Sequence, residues 1–212
     1  MSFQSADQGC GKGRGLQLKH GPKAGRLLFI GGSAAGDRVY FSDDHGASYQ
    51  LSETLIPQMN EAQLAELPSP PGTVIANMRV SANATFPADV RGIAISTDSG
   101  LTFGHARPAP DLIAPANGCM ASTITVERPG EAATVYFAGP NSTLGRSHMV
   151  LKRSDDGLSF PRARQTLVYS GLGGYSCLTT VPQEGKLGLL WESSIDGCVG
   201  AACSIRFSLL DQ

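Results

Sequence analysis

The side chains best able to do chemistry unaided are five cysteines: Cys10, Cys119, Cys177, Cys198 and Cys203. An odd number cannot close a complete disulfide framework. Cys198 and Cys203 flank the four residues Val-Gly-Ala-Ala and could close that loop, or all five could be the free thiols of a reducing compartment. No histidine stands at zinc-ligand spacing from them, so neither a metal site nor a cofactor is expected. Two Asn-x-Ser/Thr sequons, Asn83-Ala84-Thr85 and Asn141-Ser142-Thr143, would be modified only in a secreted chain.

Carboxylates recur with more order. Ser-x-Asp-x-Gly-x-(Ser/Thr)-aromatic occurs as Ser42-Asp43-Asp44-His45-Gly46-Ala47-Ser48-Tyr49 and as Ser96-Thr97-Asp98-Ser99-Gly100-Leu101-Thr102-Phe103. A third copy is Arg153-Ser154-Asp155-Asp156-Gly157-Leu158-Ser159-Phe160, with Arg in the first Ser position. The copies start 54 and 57 residues apart. Such a box suits a hairpin turn. The Asp accepts from backbone N–H groups, the Gly takes positive φ, and the aromatic folds back onto the sheet. Its chemistry is structural.

The elements around these turns read as strands. Short apolar runs recur at Arg26–Ile30, Val74–Met78, Gly92–Ile95, Thr134–Phe137, Leu187–Trp191 and Ile205–Leu209, each bounded by Gly, Pro, Asp or Ser. The best helical candidate, Leu51 to Leu67, starts at Ser52 but meets Pro57, and is expected as a loop with at most one or two helical turns. A period near 55 residues fits a four-stranded propeller blade with one long loop, and the length then accommodates about four blades. Blades are expected near 11–55, 56–108, 109–163 and 164–212.

Composition excludes several classes. Hydrophobic residues at 41% and charged residues at 17% mark a globular chain. A net charge of −1 leaves no footprint for nucleic acid. No apolar run approaches the ~20 residues that span a bilayer. The opening MSFQSADQGC has no apolar stretch of a signal peptide.

The turn motif resembles the Asp-box of the sialidase (neuraminidase) superfamily, whose members are six-bladed β-propellers. Other segments are similar to that family in its own order. They are Gly15-Leu16-Gln17-Leu18 with Gly25-Arg26-Leu27-Leu28, Asn60-Glu61-Ala62-Gln63 with Glu66-Leu67-Pro68, and Asn77-Met78-Arg79. Gly139-Pro140 through Arg146, Gly173-Gly174-Tyr175-Ser176-Cys177-Leu178, and Glu192 after Leu189-Leu190-Trp191 continue the match. The resemblance implies an all-β fold, with about four blades of the six-bladed type present, and exo-α-sialidase chemistry on sialylated glycans. Open blade edges would suit a partner chain or self-association. The family's lysosomal or extracellular settings leave the compartment undecided.

Sialic acid bears a carboxylate on its anomeric carbon, and planar guanidinium recognises it best. By resemblance, Arg79 and Arg146 are two of the family's three arginines. Tyr175 is the nucleophile: a phenol avoids the repulsion a carboxylate would meet there. Its pKa near 10 calls for a partner base, and the matched residue is Glu61. Glu192 would orient or charge-balance an arginine. The family's first arginine lies in an Arg-Ile-Pro motif that does not occur here, and its acid/base Asp follows that motif. Asp111, in Pro108-Ala109-Pro110-Asp111-Leu112, matches an inter-blade segment before the Pro115 to Cys119 stretch and not that acid. Loss of a general acid costs roughly 10²–10⁴ in rate. The alternative reading is therefore a sialic-acid-binding propeller with impaired catalysis.

Overall fold

Burial follows each strand's place in the fold: Asp37–Phe41 alternates buried with half-buried positions, whereas Thr73–Val80 is buried almost throughout. The structure is a computed structural model describing residues 9–10, 13–33, 35–81, 85–87, 89–115, 117–194 and 204–212. Cys198, Cys203 and Asn83 with Ala84 of its sequon lie outside the described residues, as does the side chain of Cys10.

The described strands form four successive antiparallel sheets. The first contains β1 (Gly9–Cys10), β2 (Leu16–Gln17), β3 (Leu27–Ser33), β4 (Gly36–Ser42), β5 (Gln50–Leu51) and β6 (Ile56–Pro57). The second is a meander of β7 (Met59–Leu67), β8 (Thr73–Val80), β9 (Val90–Ser96) and β10 (Arg107–Ile113). β11 (Ser122–Val126), β12 (Thr134–Pro140), β13 (Ser147–Ser154) and the first half of β14 (Gln165–Val181) make the third. β14 then crosses without a loop into the fourth sheet, pairing with β15 (Lys186–Ser193), which pairs with β16 (Ser204–Leu210). This nearly all-β succession of curled antiparallel sheets is a β-propeller architecture.

Each pair of neighbouring sheets encloses its own core. Leu28, Val39, Met59, Leu64 and Met78 fill the first interface. Ile75, Ile93, Leu112, Phe137 and Phe160 fill the second. Met149, Leu178, Leu187, Leu189 and Trp191 fill the third. The first strands are also joined by polar contacts: Ser122 Oγ donates to Gln63 Oε1 at 2.9 Å and accepts from Leu178 N at 2.8 Å. On the far face of the fourth sheet Ile205 and Phe207 are 62% and 58% exposed, beside the exposed Leu190 and Leu209.

The boxes form the turns from β4 to β5, from β9 to β10 and from β13 to β14. Asp44 accepts from Ser48 N, Asp98 from Leu101 N and Thr102 N, and Asp156 from Leu158 N and Ser159 N. Gly46, Gly100 and Gly157 all take positive φ. Phe103 and Phe160 are buried, and Tyr49 sits edge-on to Phe29 at 5.7 Å. The third box needs a correction in register. Ser154, not Arg153, fills the Ser position, donating to Asp156 at 2.8 Å and accepting from Gly157 N. That loop is one residue shorter between Asp and Gly, so aligning on the Gly misplaces the Ser and Asp by one.

Leu51 to Leu67 is also corrected: it is strand, not loop with helical turns, and carries β6 and β7. Ser52 caps no helix; its hydroxyl accepts from Val39 N at 3.1 Å and donates to Thr54 O.

Candidate active site

Glu61 sits where β7 breaks step with β8. The register shifts between Asn60 and Gln63, and Glu61 takes φ +43°. A non-glycine residue there costs of order 1–3 kcal/mol and must be held by its surroundings. The carboxylate supplies that hold. Its Oε1 accepts from the Tyr175 hydroxyl and its Oε2 from Arg79 Nη1. Arg79 Nη1 also donates to Tyr175 Oη at 3.3 Å, closing a triangle of phenol, carboxylate and guanidinium. Glu61 and Arg79 are 13% and 19% exposed, so the pair is shielded yet reachable.

Tyr175 comes from β14, at a second irregularity between Gly173 and Ser176. Glu192 Oε2 accepts from Tyr175 N at 2.9 Å, so Glu192 fixes the tyrosine's backbone. Among the described residues Glu192 makes no ion pair with an arginine. Arg146, just before β13, lays its guanidinium over the Tyr175 ring at 5.1 Å. All five expected residues thus meet in one place. Beside them lies a cavity of about 220 Å³ lined by Gly13, Met120, Tyr175, Cys177, Trp191 and Glu192.

Three arginines are held by three successive backbone carbonyls. Arg79 Nη2 donates to Asn117 O at 2.6 Å, Arg146 Nη2 to Gly118 O at 3.5 Å, and Arg91 Nη1 to Cys119 O at 2.7 Å. Gly118 has φ +66°, and a Cβ there would come 2.5 Å from Arg79 Nε, so glycine is required. Arg91 is wholly buried on β9. An uncompensated buried charge would cost several kcal/mol; Asn77 Oδ1, Cys119 O and the Phe137 ring face at 5.6 Å offset it.

Burial is the largest influence on Arg79 and opposes its charge, but the hydrogen bond and charge of Glu61 outweigh it and raise its pKa. Burial lowers Arg91 to about 10 and pushes the Cys119 thiol up to about 11. Cys177 is likewise raised by burial, so neither described thiol is poised as a nucleophile. Among the described residues no three His, Cys, Asp or Glu side chains could hold a metal ion. Asp111 is structural: its Oδ2 accepts from Phe160 N at 2.9 Å and latches the third box to β10.

Three residues near the site escape sequence reasoning. Arg91 reads as an ordinary strand-end charge. Arg14, lowered by burial, lies close enough to Cys177 to feel its charge. Asp37, in β4, is 1% exposed. No pattern in the sequence separates any of them from a surface residue.

No family model matches the chain. It is 33% identical over 189 residues to a sialidase of Micromonospora viridifaciens, covering 85% of this chain and 28% of the relative. It is 30% identical over 191 residues to a sialidase of Bacteroides fragilis, covering 87% and 34%. The chain therefore spans about a third of the length of these curated relatives. The intramolecular trans-sialidase of Ruminococcus gnavus, solved in complex with oseltamivir carboxylate, superposes with a TM-score of 0.78 at 24% identity, over 96% of this chain and 44% of its own.

Proposed function

We propose, for a chain that belongs to the sialidase superfamily, that it carries the nucleophile and part of the carboxylate clamp of a retaining exo-α-sialidase acting on sialylated glycans. The observation that carries this reading is the hydrogen-bonded chain from the Tyr175 hydroxyl through Glu61 to Arg79. A packing tyrosine has no use for a carboxylate acceptor held at positive φ.

In this reading Arg79 and Arg146 receive the substrate carboxylate. Glu61 takes the phenolic proton as Tyr175 Oη bonds to the anomeric carbon and the aglycone oxygen departs. The departing oxygen takes a proton from a donor outside the matched residues. Water then gives a proton to the conjugate base of that donor as it attacks the tyrosyl intermediate from the vacated face, Glu61 returns the phenolic proton to Tyr175, and two inversions give retention. Glu192 keeps the Tyr175 backbone in place through both steps.

The test is hydrolysis of a fluorogenic aryl α-sialoside, with sialic acid binding followed by calorimetry. Tyr175→Phe is expected to remove turnover and leave binding within about twofold, because the ring under Arg146 is kept. Turnover that survives the substitution rules the nucleophile out. Binding without turnover in the unaltered chain would favour a binding propeller.

A further inference from the structure

Asp37 has two carboxylate oxygens and no hydrogen-bond partner for either among the described residues. It faces Gly32 across the β3–β4 pair, and a Cβ at Gly32 would come 2.5 Å from Asp37 Oδ1 and 3.8 Å from the Asn60 Cα. The side chain therefore fills a space that only glycine leaves open, beside the residue that precedes Glu61. Asn60 Oδ1 is also buried without a partner among the described residues. The Asp37 carboxylate and Asn60 Oδ1 are thus buried acceptors without donors among the described residues, and a proton on Asp37 would lower the cost of burying its oxygens. The charged groups that face Asp37 are Glu61 on β7 and Arg91 on β9.

We propose that Asp37 is a positioning residue that acts through Glu61 as a charge switch behind the site. This rests on the sialidase reading only for the nature of the ligand. Neutral, Asp37 leaves the Arg79 and Arg146 charge available to an anion and leaves Glu61 bound to Tyr175 and Arg79. Ionised, it places a second negative charge beside Glu61, repels the incoming carboxylate and disturbs the Glu61 contacts.

The direction of its titration agrees. Burial first, then the Glu61 charge, raise Asp37 to about 7, while Arg91 opposes them. A carboxyl raised on folding keeps its proton in the folded state while the unfolded chain loses it. Its neutral form costs nothing below the unfolded value near 4, and stability declines as pH rises from there to about 7.

Three measurements test the switch on the full chain and on Asp37→Asn. Carbon-13 carboxyl titration from pH 4 to 9 should show Asp37 stepping near 7, with the Glu61 resonance moving in the same step; in Asp37→Asn that Glu61 movement should vanish. An Asp37 resonance stepping near pH 4, or a Glu61 resonance that ignores the Asp37 step, overturns the proposal. Sialic acid binding should weaken about tenfold between pH 6 and pH 8.5 in the unaltered chain and less than about twofold in Asp37→Asn. An equal weakening in both also overturns it. If neither protein binds sialic acid at any pH, it is the sialidase reading that falls, and the carboxyl titration alone decides the switch. Asp37→Asn should also raise the melting temperature by roughly 5 °C at pH 8 and by about a third of that at pH 5; a shift independent of pH counts against the switch.

Discussion

Strand β7 treats its two glutamates in opposite ways. At one end Glu66 is 3% exposed and its oxygens accept from the backbone of Lys19 and His20 at 2.7 and 2.8 Å. That end stitches the first sheet to the second, and His20 Nε2 reaches on to Glu127 at 2.9 Å. At the other end the ladder slips, Glu61 takes positive φ, and its acceptors serve a phenol and an arginine. Asp37, behind that end, has no partner among the described residues. One end is satisfied by the chain's own backbone and holds the fold. The other is held by side chains that a ligand can displace, which is the condition for chemistry. A strand can do both because a slip of register frees one end without unpairing the other.

Breaking each end separately should give different losses. Glu61→Gln is expected to lower aryl sialoside turnover by roughly 10²–10⁴, about 3–5 kcal/mol of barrier, while urea unfolding changes little. A Gln variant that turns over normally would mean the phenol is activated elsewhere. Glu66→Ala should cost about 2–3 kcal/mol in urea unfolding, because two backbone donors lose a charged acceptor. Its effect on sialic acid affinity should stay below about twofold. Gly118→Ala should cost roughly 1–2 kcal/mol through its positive φ, and should weaken sialic acid binding by pushing Arg79 aside, a change visible by calorimetry.

The smallest effect sharpens the comparison from a third region, the exposed turns. Hydrogen bonds from Arg26 hold Asp43 at about 2, and those from Ser48 and Ser42 hold Asp44 at about 2. Carboxylates depressed on folding stabilise the chain above their unfolded value near 4, and that contribution disappears as pH falls through about 2. Acid unfolding between pH 4 and 2 should therefore be shallower in Asp43→Asn, by a small amount because the site is solvent-screened. The sign is opposite to that for Asp37.

The sequence disclosed what apolar runs and repeated turns can disclose. Val74–Met78 and Leu187–Trp191 lie in β8, where both faces are packed, and in β15, where Leu190 is exposed on the outer face, so apolar runs announced both. β7 stayed hidden because it is a first strand lined by Glu61, Gln63 and Glu66. These side chains are buried or half-buried but meet polar partners from neighbouring sheets, so hydropathy reads them as solvated. β14 was hidden for another reason: its glycines at 171, 173 and 174 mimic a loop where the strand hands over between sheets. The site residues were legible only through family likeness. Tyr175 and Glu61 are 114 positions apart, and no local pattern links them. Arg91 and Asp37 lay beyond even that, since a single charged residue in a strand looks the same buried or exposed.

The carbonyls of Asn117, Gly118 and Cys119 act as a gauge. Consecutive peptide units are separated by a covalent distance of about 3.8 Å between Cα atoms, which no repacking alters. Three cations drawn from three different strand neighbourhoods therefore have their mutual spacing calibrated against one short ribbon of backbone. A substitution in any single strand detunes one cation. Adding or deleting one residue in the ribbon recalibrates all three at once. That makes this segment the natural place to adapt the site to a larger or smaller anion without redesigning the sheets around it.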